Sequence, residues 1–134
     1  MIDRDSFLQD FRGETIGSIG TNSSSEETFQ NKVLRPILKL QNDLLLAAFA
    51  NYISKYKGDF YNLKLDKRLA VIENAVQKDV KFRNTLKGMV VGLFTKEEYL
   101  LYAANSSNLN KRMMTMLLER LKSQIQLFDQ PTTL

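Results

Sequence analysis

Apolar residues return every three or four positions along most of the chain, which is the spacing of one buried face on an α-helix. Leu69, Ile72, Val76 and Val80 follow it, and so do Leu109, Met113, Met116, Leu117, Leu121, Ile125 and Phe128. Between these sets lies the most apolar stretch, where Ile37, Leu40, Leu44, Ala48 and Tyr52 form one stripe that Leu38, Leu45, Phe49, Ile53 and Tyr56 broaden. A helix apolar over so much of its circumference belongs near the centre of a fold. No run alternates apolar and polar residues as a half-buried strand does. The pattern predicts an all-α, single-domain bundle of roughly four to six helices around one core rich in Leu and Met.

Local signals mark where these helices begin and end. Ser24 and Glu27 have the spacing of a capping box, with Glu26 and Glu27 suited to the positive end of a helix dipole. That helix meets Pro36, whose ring and missing N–H predict a kink or a break there. Lys57-Gly58-Asp59 ends the central helix, and Asp66 is the expected N-cap of the next. A third helix is read over Asp79 to Phe94, where Gly88 and Gly92 share one face and are expected to admit a neighbouring helix closely. Thr95 and Glu98 form the clearest capping box in the chain, and Phe94 before it is placed to pack on Tyr99 as a hydrophobic staple. Asn105-Ser106-Ser107-Asn108 offers several caps for the last long helix, which Asp129-Gln130-Pro131 stops before a fraying tail.

The first 23 residues read differently. Ile2, Phe7, Leu8 and Phe11 supply a short amphipathic edge, and Gly13, Gly17 and Gly20 with a run of Thr, Asn and Ser follow it. Such a stretch offers little apolar surface against the entropy of ordering it. The chain therefore divides into an acidic arm and flexible linker over 1–23 and a helical domain over 24–130.

Charge sharpens that division. Residues 1–30 carry two basic and six acidic side chains, a balance of −4, against 17 basic and nine acidic, or +8, in the remainder. Either the arm lies against the body electrostatically or the body faces an anionic partner.

Chemistry is limited by what is missing. With neither His nor Cys among 134 residues, zinc sites, Ser-His-Asp triads and Cys-His dyads lack an indispensable member. Glu26-Glu27 and Glu97-Glu98 are explained by capping, and no Lys sits inside an apolar run. No catalytic residue, cofactor or metal ligand is assigned. The one constellation with binding chemistry is Ser106, Ser107, Lys111 and Arg112, where free N–H groups at a helix start, two hydroxyls and two cations would converge on a phosphate or carboxylate. Caps and solvated cations account for the same residues. A second basic face, Lys78, Lys81, Arg83 and Lys87, fits a helix-turn-helix scheme poorly because its helix ends in an apolar tail and no aromatic residue alternates with the cations. In Met113-Met114-Thr115-Met116, Met113 and Met116 are expected in the core and Met114 outward.

The stretch from Phe82 to Tyr99, FRNTLKGMVVGLFTKEEY, continuing into NSSNLNKRMM from Asn105 to Met114, resembles a group of small uncharacterised bacterial proteins. The resemblance runs from about Phe29 to Ile125. Some of that group are labelled glyoxalase, which implies a βαβββ fold with a metal held by His and Glu; a chain without His or a strand pattern does not supply it. The resemblance thus adds no functional residue.

These observations lead to the expectation of a cytoplasmic, non-catalytic helical binding or assembly module with no cofactor. Its partner is another protein or a second copy of itself; nucleic acid is disfavoured, and no apolar run reaches the ~20 residues of a membrane span. The alternative is an anion, phospho-ligand or nucleic-acid binder acting through the basic body around Lys111 and Arg112.

Overall fold

The computed structural model describes residues 3–17, 24–55 and 58–128, and every regular element among them is helical. In chain order these are α1 (Arg4–Arg12), α2 (Ser25–Phe29), a π turn (Gln30–Leu34), α3 (Arg35–Leu40), α4 (Asn42–Ser54), a 3-10 turn (Phe60–Asn62), α5 (Leu65–Gln77), α6 (Val80–Val91), α7 (Lys96–Ala104), α8 (Ser106–Ser123) and a last 3-10 turn (Ile125–Leu127). With Ser25–Leu40 taken as one rod there are seven helices, slightly more than expected from the apolar pattern. Residues 18–23, Tyr56 and the tail from Asp129 lie outside the described residues.

The interruption expected at Pro36 takes the form of the π turn directly before it, where the Arg35 N–H donates to Gln30 O five residues back. The wider turn relieves the crowding that a regular α turn would impose between the proline ring and the carbonyl of Lys32. The rod then bends again at Gln41, whose φ of −88° and ψ of 2° are not helical. The buried face continues across it. Leu38, Leu45, Phe49 and Ile53 point inward, whereas Leu40 and Leu44, on the stripe expected to lead, are exposed.

α8 runs beside α5, α7 and the π turn, and α5 also packs on α6. Leu109, Met113, Leu117 and Leu121 form the inner stripe of α8, and an arc covered by three neighbours is wide enough to bury Met114 too. Met114 is thus a core residue, and Met116 is the partly buried one. On α5 and α6 the inner residues are Val71, Ile72, Ala75, Val76, Phe82, Leu86 and Val90, while Val80 opens α6 at the surface. α5 begins after Lys64, two residues earlier than a cap at Asp66 would place it.

Capping follows the local code closely. Ser24 accepts from the Glu27 N–H at 3.1 Å, Asp79 accepts from the Phe82 N–H at 3.1 Å, and Thr95 and Glu98 make the full reciprocal box. The staple partner differs: Phe94 packs on Tyr102 at 5.6 Å between ring centroids, because Phe94 turns inward against Phe29, and Tyr99 is half exposed. The close helix approach expected at Gly88 is absent, since a Cβ there would meet nothing within 4 Å. α6 packs through Phe82, Leu86 and Val90, and Gly88 faces away from that side.

The acidic arm is docked by its two cations. Arg4 donates to Phe94 O and Gly92 O, each at 2.8 Å, and Arg12 donates to Leu93 O at 2.9 Å. These carbonyls follow the C-terminus of α6, the negative end of its dipole, where positive charge is favoured. Arg12 also grips Glu98 with both terminal nitrogens, at 2.5 and 2.7 Å. Only 5% and 11% of the two side chains is exposed, and Leu8 between the arginines is buried. Past α1 the chain crosses the π turn, where the Ile16 N–H donates to Asn31 O at 3.0 Å. Gly17 follows with φ of 99°, and a Cβ there would lie 2.9 Å from Asn31 Cγ. Gly17→Ala is therefore expected to lower stability by more than about 1 kcal/mol, read as a lower urea midpoint; an unchanged midpoint would show that the crossing moves without penalty.

Candidate functional site

The rod Ser25–Leu40 and α8 enclose a groove of about 910 Å³ into which Arg35, Lys39, Lys111, Arg112 and Arg120 all project. Among the described residues Glu119 is the single acidic residue of its lining. Ile16 from the arm forms one wall, and Leu38 and Met116 contribute apolar floor. From Lys111 to Arg120 the cations extend over roughly 13 Å of helix axis.

Neutral amides hold the guanidinium groups in place. Arg35 Nε donates to Asn31 Oδ1 at 2.8 Å, Arg112 Nη1 to Gln30 Oε1 at 2.8 Å, and Arg120 Nη1 to Asn42 Oδ1 at 3.1 Å. Gln124 donates to the same Asn42 oxygen at 2.8 Å and returns as acceptor to Asn42 Nδ2 at 3.0 Å, which fixes that amide. Among the described residues the carboxylate contact to these arginines is Glu26 to Arg112, at 4.0 Å with about a third of each side chain exposed. An amide oxygen orients a guanidinium without cancelling its charge, so the groove keeps a net positive field.

The electrostatics carry the mark of this crowding. Burial, and after it the positive charge of Arg35, lowers the Arg120 guanidinium from its ordinary value. The group nevertheless stays protonated at neutral pH. A bound anion would relieve both influences on the protonated form's stability: it offsets the lost hydration and screens Arg35.

The π turn does part of the positioning. Gln30 and Asn31, its first two residues, are the amides that orient Arg112 and Arg35. The distortion next to Pro36 therefore helps to build the groove.

Of the residues singled out from sequence, Lys111 and Arg112 line the groove, and Ser106 and Ser107 do not. The last helix starts two or three residues earlier than a Ser107 or Asn108 cap would require: Asn105 is the N-cap and makes no side-chain cap bond, because its amide reaches Glu26 at 3.1 Å and accepts from Asn108. Ser106 and Ser107 sit in the first turn of α8, upstream of the cations. Arg35, Lys39 and Arg120 were missed. Arg35 and Lys39 are one turn apart, and Arg112 and Arg120 are eight residues apart, so each pair shares a helix face; what sequence lacked was the juxtaposition of the two helices.

Among the described residues no group of acidic side chains converges as a metal site, and no helix is long and apolar enough to cross a membrane. No family model, curated protein or solved structure matches the chain.

Proposed function

We propose that this protein is a non-catalytic binding module that holds a small, multiply phosphorylated ligand in the groove between α3 and α8. The reading rests on one observation: three arginines line a single groove, each oriented by a neutral amide, with one carboxylate in the lining to set against five cations. Guanidinium forks match phosphate oxygens two at a time, and their cost of desolvation is recovered when an anion arrives. The volume lies within the range of small-molecule pockets, about 300–1,000 Å³. The described lining residues include no aromatic side chain, which disfavours single-stranded nucleic acid, since that needs ring faces for its bases.

Inorganic tripolyphosphate is the probe, titrated calorimetrically. Binding should weaken several-fold between roughly 50 and 200 mM salt, as expected when phosphate contacts displace counterions. Arg35→Gln combined with Arg120→Gln should weaken it at least about tenfold, the effect of losing two charged hydrogen-bond donors. Ser106→Ala with Ser107→Ala should leave affinity unchanged, since neither hydroxyl lies in the groove. Equal affinity in parent and the Arg35/Arg120 variant would remove the groove from the account, and tighter, equally salt-sensitive binding of a short DNA duplex would reassign it to nucleic acid.

A further inference from the structure

We infer that α1 carries a docking face for a second copy of this chain, and that the groove between α4 and α6 receives it. The inference is independent of the anion groove.

Three observations converge. The first is on α1, whose inner stripe of Arg4, Leu8 and Arg12 engages the body through hydrogen bonds from both arginines and the buried Leu8. Its outer stripe, Asp3, Phe7, Asp10 and Phe11, is spaced as one helix face. Phe7 and Phe11 are 53% and 56% exposed, and they stack on each other at 5.5 Å between centroids. Two phenyl rings held side by side in water are an unsatisfied apolar surface, flanked here by carboxylates.

The second observation is a groove of about 790 Å³ between α4 and α6. Leu44, Ala47, Ala48 and Met89 give it an apolar floor, and the two alanines leave room for rings to approach the backbone. Leu44 is half exposed there.

The third is charge. Lys55 and Lys81 stand on the rim and make no ion pair among the described residues. Asp79, also in the lining, is already committed: it accepts from the Phe82 N–H and from the Tyr52 hydroxyl, both at 3.1 Å. Those neutral donors leave the Asp79 charge in place, but two lysines against one carboxylate keep the described lining net positive, and the incoming stripe is acidic and aromatic. A single molecule does not satisfy this match, because Arg4 and Arg12 anchor α1 beside the end of α6 and its phenylalanines remain in solvent.

The contact joins different surfaces of the two copies, α1 of one to α4 and α6 of the other. It closes into a dimer if both directions form together and continues into longer assemblies if they do not.

Sedimentation and light scattering over a concentration series test it. The parent should self-associate, more strongly at low salt, as a discrete dimer if reciprocal and as larger species if not. Phe7→Ala/Phe11→Ala and, separately, Ala47→Glu should each weaken association at least about a hundredfold, the first by removing the two apolar anchors and the second by filling the groove with a side chain of the same charge as the incoming stripe. All three positions are exposed, so far-UV circular dichroism and thermal melting should match the parent. The decisive sample is an equimolar mixture of the two variants, in which one intact α1 face meets one intact groove: it should form a 1:1 complex and nothing larger. A parent that stays monomeric throughout overturns the inference, as do variants that associate like the parent, or a mixture that remains monomeric.

Discussion

Glu98→Ala is expected to lower the stability of this protein by about 3–5 kcal/mol, the scale observed when one partner of a buried ion pair is removed. Glu98 is asked to do two things at once. It accepts from the Thr95 N–H at 2.8 Å and so completes the cap of α7, and it receives both terminal nitrogens of Arg12. Alanine leaves a guanidinium with 5% of its side chain exposed facing no carboxylate, while Arg12 Nε is already buried without a partner. Among the described residues the Leu93 carbonyl is then the one acceptor that Arg12 keeps. Urea denaturation of Arg12→Ala, Glu98→Ala and the double variant separates the contributions. The double variant should be markedly more stable than the sum of the two losses predicts, because it no longer strands a charge. Strict additivity would mean that the two side chains act separately.

The same pair sets a pH dependence. Burial pushes the Glu98 carboxyl up, but hydrogen bonds from Arg12 and from the Thr95 backbone, together with the charge of Arg12, outweigh it and hold the group below its ordinary value of 4.5. A depressed folded value means that the unfolded chain binds this proton more readily. The stabilisation is therefore complete above the ordinary value and is lost as pH falls through the folded one. Parent stability should decline on acidification below about pH 4.5, and Glu98→Gln should flatten that decline. Parallel curves for parent and variant would assign the acid response to other carboxylates.

Phe49→Ala is the second large effect, expected at about 3–5 kcal/mol, the range for emptying a buried phenylalanine site. Phe49 has no exposed surface and joins four parts of the chain through its ring. Its neighbours are Phe60 in the 3-10 turn at 6.1 Å, Phe82 on α6 at 6.3 Å, Phe128 after α8 at 4.8 Å and Tyr52 one turn along α4 at 6.0 Å. Edge-to-face geometry, seen with Phe60 and Phe128, adds a little to what burial alone contributes. Phe49→Leu refills much of the volume and should lose distinctly less than alanine. The comparison is made by urea denaturation, and a loss under about 1 kcal/mol for alanine would mean that the cluster collapses around the hole.

These two sites differ in how far they could be read in advance. Phe49 lies in the most apolar stretch of the chain, and its burial needs nothing beyond helical periodicity. The Thr95–Glu98 box is also local, three residues from donor to acceptor. Arg12 reaching Glu98 is a contact across 86 residues, and no pattern within a turn or two of either residue announces it. Glu98 looked fully explained by its cap.

The groove shows the same limit. Lys111 and Arg112 could be picked out because they follow a helix start, a local feature. Arg35 and Arg120 join them through the packing of the rod Ser25–Leu40 on α8, and Ser106 and Ser107 drop away because the cap falls at Asn105. Whether a cation is spent or free depends on its nearest oxygen, and here those oxygens belong to amides up to 82 residues distant.

By itself, then, the amino-acid order determined the helices, the caps at Ser24 and Thr95 and the disturbance at Pro36, because backbone hydrogen bonds and side-chain caps act within about four residues. It also determined that the arm is acidic and the body basic. Tertiary structure decided that Leu38 and Leu45 face inward where Leu40 and Leu44 do not, that the arm docks through its arginines, and that five cations share one groove. Each of those outcomes depends on which surfaces meet when the helices pack, and contacts between residues 80 or more positions apart are not fixed by the local periodicity of either partner.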